Sequence, residues 1–167
     1  MKTQIRIIIT MFLICCCGCY YQAKSHEFDM SQKHKIANPD NEMGIIYFYR
    51  PSFNNVAYNH NYILKIGIND RIIGALYTGG YFYIKLDPGI YIFQTKTTTG
   101  LERISIEVEP GKTHYISVGC NFENLVCDPV FTEVSQQQGR MEIANLKYAP
   151  LKKWEKINLK AYKNANN

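Results

Sequence analysis

Residues 101–120 read LERISIEVEPGKTHYISVGC, and this stretch decides the fold class. Ile104, Ile106 and Val108 alternate with Arg103, Ser105, Glu107 and Glu109. That period of two sends one set of side chains to a core and the other to water, as in a half-buried strand. Pro110-Gly111 then breaks the run with the residue pair of a type II turn, in which proline presets φ and glycine takes the positive φ. A second strand-like segment, Lys112 to Cys120, follows.

The same rhythm extends upstream. Phe82, Ile84 and Leu86 alternate with Tyr81, Tyr83 and Lys85, Pro88-Gly89 supplies another type II turn pair, and Ile90 to Thr98 is the next strand. Gly79-Gly80 marks a further turn. Tyr62–Ile68 and Arg71–Leu76 flank Asn69-Asp70, a pair suited to the positive φ of a two-residue hairpin. Gly44–Arg50 (GIIYFYR) is apolar on both faces, as in a central strand, and Pro51 ends it because proline cannot continue a central ladder. An Asn-rich loop spans 52–61, and Val130–Val134 reads as the last strand. With 13 Tyr and 8 Phe, residue types that favour strands, the pattern predicts a mostly β fold. The expected architecture is an antiparallel immunoglobulin-like β-sandwich over 43–149 with a short C-terminal helical segment. The helix is expected within Gln136–Leu146, where Met141, Ile143 and Leu146 keep helical spacing.

Both ends differ from this middle. Lys2 and Arg6 precede an apolar run from Ile7 to Cys17, and Gly18-Cys19 closes it with small residues. The run falls short of the ~18 residues of a spanning helix, and its flanks fit a removable export signal. Residues 1–18 are therefore expected to be a lipoprotein signal peptide. Cys19 is the lipid acceptor, bearing palmitate-type acyl chains, and 19–42 form the lipidated Cys and a flexible tether. An ordinary cleaved signal and an uncleaved anchor are the alternatives. Tyr20 in place of Asp after the acceptor points to the outer membrane, facing the periplasm. Beyond Pro150, Leu151, Trp154, Ile157 and Ala161 recur at helical intervals among Lys152, Lys153, Lys156, Lys160 and Lys163. This basic amphipathic segment, 150–167, either lies on an anionic surface or packs on the domain with its lysines in water.

Gly44 to about Leu146 resembles the bacterial envelope proteins grouped as the domain of unknown function 2846 family. The residues that carry the resemblance are Ile46-Tyr47-Phe48-Tyr49-Arg50-Pro51, Ile68-Asn69-Asp70, Ile73-Gly74 with Leu76, Gly80-Tyr81-Phe82, Leu86 with Pro88-Gly89, and Gly111-Lys112 with Tyr115-Ile116. The resemblance implies a small β-sandwich behind a lipoprotein signal, and no activity. Asn69-Asp70 departs from the Asp-Gly common there, and the Lys-rich end lies outside the pattern.

Chemistry is sparse. Cys15, Cys16, Cys17 and Cys19 belong to the signal region, which leaves Cys120 and Cys127 around CNFENLVC. In an oxidising compartment these two are expected to form a disulfide worth about 2–3 kcal/mol. His26, His34, His60 and His114 form no metal-ligand spacing. There is no nucleophile elbow and no phosphate loop. Glu107 and Glu109 share their strand face with Arg103 and Ser105, as on a solvated face rather than in a glycosidase pair. Removing the first 18 residues leaves 149 and lowers the formal charge from +5 to +3, too mild to suggest nucleic acid. The sequence thus reads as a non-catalytic envelope protein, without metal or cofactor, that presents a surface to an envelope protein or to peptidoglycan. Candidate surface residues are Tyr81, Tyr83, Arg50, Trp154, Lys152, Lys153 and Lys156; the alternative for Tyr81 and Tyr83 is cover by a second sheet or the C-terminal helix, and for Arg50 a charge capping a sheet edge. The rival classes are a hydrolase inhibitor acting through the Cys120–Cys127 loop, or a stress-protection protein, and a glycan-active enzyme.

Overall fold

The computed structural model describes residues 36–37, 41–52, 63–68, 71–123 and 126–148, with no side-chain placement for 122–127. The strands are β1 (Gly44–Tyr49), β2 (Leu64–Ile68), β3 (Arg71–Leu76), β4 (Gly80–Leu86), β5 (Gly89–Lys96), β6 (Leu101–Val108), β7 (Thr113–Glu123), β8 (Val126–Val134) and β9 (Lys147–Tyr148). One helix, α1 (Gln136–Ile143), lies between β8 and β9. They form a β-sandwich of two sheets, one ordered β8-β7-β1-β4-β9 and the other β3-β2-β5-β6.

All six residues of β1 are buried. Their alternation feeds two separate cores. Ile46 and Phe48 point between the sheets, where Phe48 meets Phe82 at 5.4 Å, Phe93 at 4.9 Å and Phe131 at 6.4 Å. Ile45, Tyr47 and Tyr49 point the other way, into a cluster with Tyr81, Tyr115 and Ile143 on the outer face of the five-stranded sheet. Helix α1 closes that face. Ser135 caps it by accepting from the Gln138 amide at 3.2 Å. Gly139 and Ile143 are its buried residues, whereas Met141, expected on the packed stripe, is exposed. The tether also reaches this cluster. The Ala37 amide donates to the Tyr47 hydroxyl at 2.6 Å, so residue 37 is docked on the domain.

The Pro-Gly and Gly-Gly turns do not join strands of one sheet. The β3–β4, β4–β5 and β6–β7 connections each cross from one sheet to the other. Gly111, at φ 71°, makes the expected turn, with the Lys112 amide bonded to the Glu109 carbonyl at 3.2 Å. The turn also anchors β1: the Gly111 amide donates to the Met43 carbonyl, and the Ile45 amide to the Lys112 carbonyl. β7 therefore enters alongside β1 in parallel, Tyr47 level with Tyr115. β4–β9 is the second parallel pair, so the sheets are not antiparallel throughout. Gly89 sits at φ 156° rather than in the left-handed turn region near +80°, so Pro88-Gly89 leads directly into β5. Asn69-Asp70 does separate an antiparallel pair, with Ile68 opposite Arg71.

The last hairpin is longer than expected. β8 begins at Val126, and its ladder with β7 runs out to Glu123↔Val126. CNFENLVC is therefore mostly strand. Pro129 stands opposite Cys120 on edge strand β8, where a missing amide costs no ladder bond. Asp128 ties this ribbon to the β5–β6 turn, accepting from the Thr98 amide and the Thr98 hydroxyl at 2.8 Å each.

Gly139 allows α1 to lie against the sheet, because a Cβ there would overlap the Tyr115 ring. Gly139→Ala would add about 1 kcal/mol of helix propensity. Overpacking costs about 1–3 kcal/mol, so a net loss of stability is expected in urea unfolding. A more stable variant would show that α1 does not seat on Tyr115.

Candidate functional site

The residues expected to form a surface are placed very differently by the fold. Tyr81 is 0% exposed and Arg50 is 1% exposed, so neither is a surface residue. Arg50 ends the central strand. Its amide donates to the Gly80 carbonyl and its carbonyl accepts from the Gly79 amide, both at 2.9 Å, while its Nη2 donates to Cys120 Sγ at 3.4 Å. A guanidinium enclosed on every side must be hydrogen-bonded to be tolerated, which makes Arg50 a structural residue. Tyr83 is half-buried, 5.4 Å from Tyr47 and 5.5 Å from Tyr148. Tyr47 stacks on Tyr115 at 5.0 Å, and Tyr81 lies 5.3 Å from Tyr148. The tyrosines are thus the second core, covered by α1 and β9. Cys19, Trp154, Lys152, Lys153 and Lys156 lie outside the described residues. In the β7–β8 register Cys120 stands opposite Pro129 and Cys127 opposite Phe122, two residues further along β7.

Protonation supports packing as the role of this cluster. Burial pushes the Tyr47 hydroxyl up to about 12, against an opposing pull from the Ala37 backbone bond. Burial also raises Tyr49 and Tyr148, and for Tyr49 the 2.6 Å bond it donates to Glu142 Oε2 adds to the effect. Such phenols stay neutral at physiological pH. His114 Nδ1 bonds Glu133 Oε1 at 2.7 Å across the β7–β8 ladder. Among the described residues no three His, Cys, Asp or Glu converge as a metal site.

Among the described residues, a feature with room for a ligand lies on the opposite face of the sandwich. The outer surface of β3-β2-β5-β6 has no helix over it among the described residues. It exposes Ile90 (71%), Ile92 (51%) and Ile72 (51%). Register places Ile72 opposite Gly67, Gly67 opposite Gln94, and Gln94 opposite Arg103 in one row across the sheet. Lys65, Lys96 and Leu101 line the next part of the face, Lys96 directly opposite Leu101. A groove of about 510 Å³ runs here, with Gly67 in its floor and Lys65, Arg71 and Lys96 around it. Its size falls in the usual range for small-molecule sites, about 300–1,000 Å³. Sequence reasoning missed this face, although GIYIF at 89–93 shows the same apolar-on-both-faces pattern as GIIYFY at 44–49.

A family model described as Protein of unknown function (DUF2846) matches residues 40–129, which include the whole groove but neither α1 nor β9. No curated protein and no solved structure matches the chain.

The raised phenol makes a pH prediction. An unfolded tyrosine ionises near pH 10, whereas Tyr47 holds its proton to about 12. Its contribution to stability is complete below about pH 10 and is lost as pH rises towards 12. Urea unfolding across that window should show stability falling, with a shallower fall in Tyr47→Phe. Equal slopes would mean that Tyr47 ionises as readily folded as unfolded.

Proposed function

The chain belongs to the DUF2846 family of proteins of unknown function, and from that premise we propose a non-catalytic, lipid-anchored β-sandwich of the cell envelope that holds another envelope component on its open sheet. One observation carries the reading: among the described residues α1 and β9 cover the outer face of the five-stranded sheet, whereas the outer face of the four-stranded sheet exposes isoleucines among polar and charged side chains. The five-stranded sheet buries its outward Ile and Tyr residues under α1. The four-stranded sheet leaves Ile72, Ile90 and Ile92 in water. Clustered exposed apolar side chains rimmed by charge mark an interaction surface more often than a solvated one.

The rest of the reading comes from the sequence. The signal at 1–18 delivers the chain to the envelope, Cys19 carries the lipid, and the chain ahead of residue 36 sets the domain's reach from the membrane, the outer membrane on its periplasmic side. Acylation at more than one chain exceeds the single-chain case, whose binding is marginal and reversible. In that oxidising compartment Cys120 and Cys127 form a disulfide across the β7–β8 ribbon. The β7–β8 register supports it, since Cys127 pairs with Phe122, two residues along β7 from Cys120. The partner is an envelope protein or peptidoglycan, with no nucleic acid involved.

Two experiments test this. A photo-crosslinking residue at Ile92 in living cells should trap a discrete envelope partner, and the same probe at Met141, exposed on α1, should not. Adducts from Met141 alone would move the surface to the helix side. Cys19→Ala should abolish metabolic labelling by a palmitate analogue and release the protein from the membrane fraction. A labelled, membrane-bound variant would remove Cys19 as the acceptor.

A further inference from the structure

Resting on the reading that the open sheet is the binding face, we propose that its groove holds an anionic amphiphile, a single acyl chain ending in a phosphate head group. The groove arises where two strands part. The β2–β5 ladder consists of Gly67↔Gln94 and Ile68↔Phe93. Beyond it Lys65 on β2 and Lys96 on β5 both line the opening. The floor stays bare because Gly67 has no side chain. A Cβ there would stand 2.9 Å from the Arg71 carbonyl oxygen, so any larger residue must displace backbone as well as fill the cleft.

The walls divide into two chemistries. Ile63, Ile72 and Leu101 line it with hydrocarbon. Lys65, Arg71 and Lys96 line it with positive charge, and no Asp or Glu is among the lining residues. Lys65 and Lys96 are both exposed, and neither forms an ion pair among the described residues. Like charges facing one cleft repel, and an anion seated between them turns that repulsion into two attractions. Lysine ammonium groups suit a phosphate as point charges. An acyl chain laid over Gly67 against Ile72 and Leu101 would cover apolar surface that is now in water. The concave shape suits one molecule rather than the plane of a bilayer, and the hydrocarbon wall asks for more than a free inorganic anion.

The test uses the full chain in phosphatidylcholine nanodiscs with a photoreactive monoacyl phosphate, adducts being mapped by peptide mass spectrometry. Adducts should fall on the β2, β5 and β6 segments that line the groove and be displaced by excess monooleoyl phosphatidic acid. The Lys65→Glu, Lys96→Glu pair should cut labelling by at least about tenfold, as should exchanging the phosphate head for a zwitterionic phosphocholine. Both side chains are exposed, so the pair should keep the wild-type unfolding midpoint; if it does not, Lys65→Gln with Lys96→Gln serves instead. Equal labelling by the zwitterionic probe, adducts mapping elsewhere, or displacement by inorganic phosphate or an acidic peptide as effective as by the lipid would each overturn the proposal. Lost lipid labelling beside an intact protein crosslink at Ile92 would sink this inference and leave the envelope-binding reading standing. Loss of specific adducts from both probes would end both.

Discussion

Strand β1 is buried on both faces, and the sandwich is assembled around that fact. Ile46 and Phe48 hold the two sheets together through Phe82, Phe93 and Phe131, while Ile45, Tyr47 and Tyr49 demand cover on the side away from the second sheet. Fully burying one such side chain is worth about 1.5–3 kcal/mol. Leaving the three outward residues in water would forfeit a large part of a typical domain's net stability of about 5–15 kcal/mol. Helix α1 and β9 are the response. Gly139 lets the helix approach Tyr115, Ser135 fixes where it starts, and the Tyr49–Glu142 bond ties its last turn to β1. The docking of Ala37 on Tyr47 continues the same cover at the other end of the domain.

The four-stranded sheet has a more mixed outer face, over which no helix lies among the described residues. Its inner residues, such as Leu64, Ile66, Phe93 and Ile106, share the common core. Its outer positions mix Ile72, Ile90, Ile92 and Leu101 with Lys65, Gln94, Lys96, Arg103, Ser105 and Glu107. A strand such as β5, apolar on both faces, gains from burial on each, and here one face meets water. The proposed binding role rests on those exposed isoleucines. The gap between β2 and β5 gives the face a shape and Lys65 and Lys96 give it a sign.

Arg50 and the tyrosines show how structural residues imitate functional ones in a sequence. An arginine before a proline and a tyrosine at alternate strand positions both look like recognition residues. In the fold, Arg50 sits where β1, the β3–β4 turn and β7 meet, its backbone bonded to Gly79 and Gly80 and its guanidinium to Cys120. Tyr81 packs on Tyr148 because β9 pairs with β4 beside it. Both positions are decided by segments far away in sequence.

The sequence by itself determined the strands and the direction each side chain faces. A period of two follows from local backbone geometry, so LERISIEV, YFYIKL and the doubly apolar GIIYFYR were readable without partners. Local turn chemistry was equally readable: Gly111 takes the positive φ expected of it and Asn69-Asp70 lies between paired strands. Only the tertiary structure decided which strands share a sheet. Pro110-Gly111 makes the local turn its residues specify, and that turn chemistry is the same whether the next strand pairs with the last or crosses to the opposite sheet. The long-range fit of side chains between the sheets made the choice, setting β7 parallel to β1 and separating β4 from β5. The same holds for the open face. GIIYFY and GIYIF are alike as strings, and one became a second core while the other became a surface because α1 follows β8 onto only one side of the sandwich.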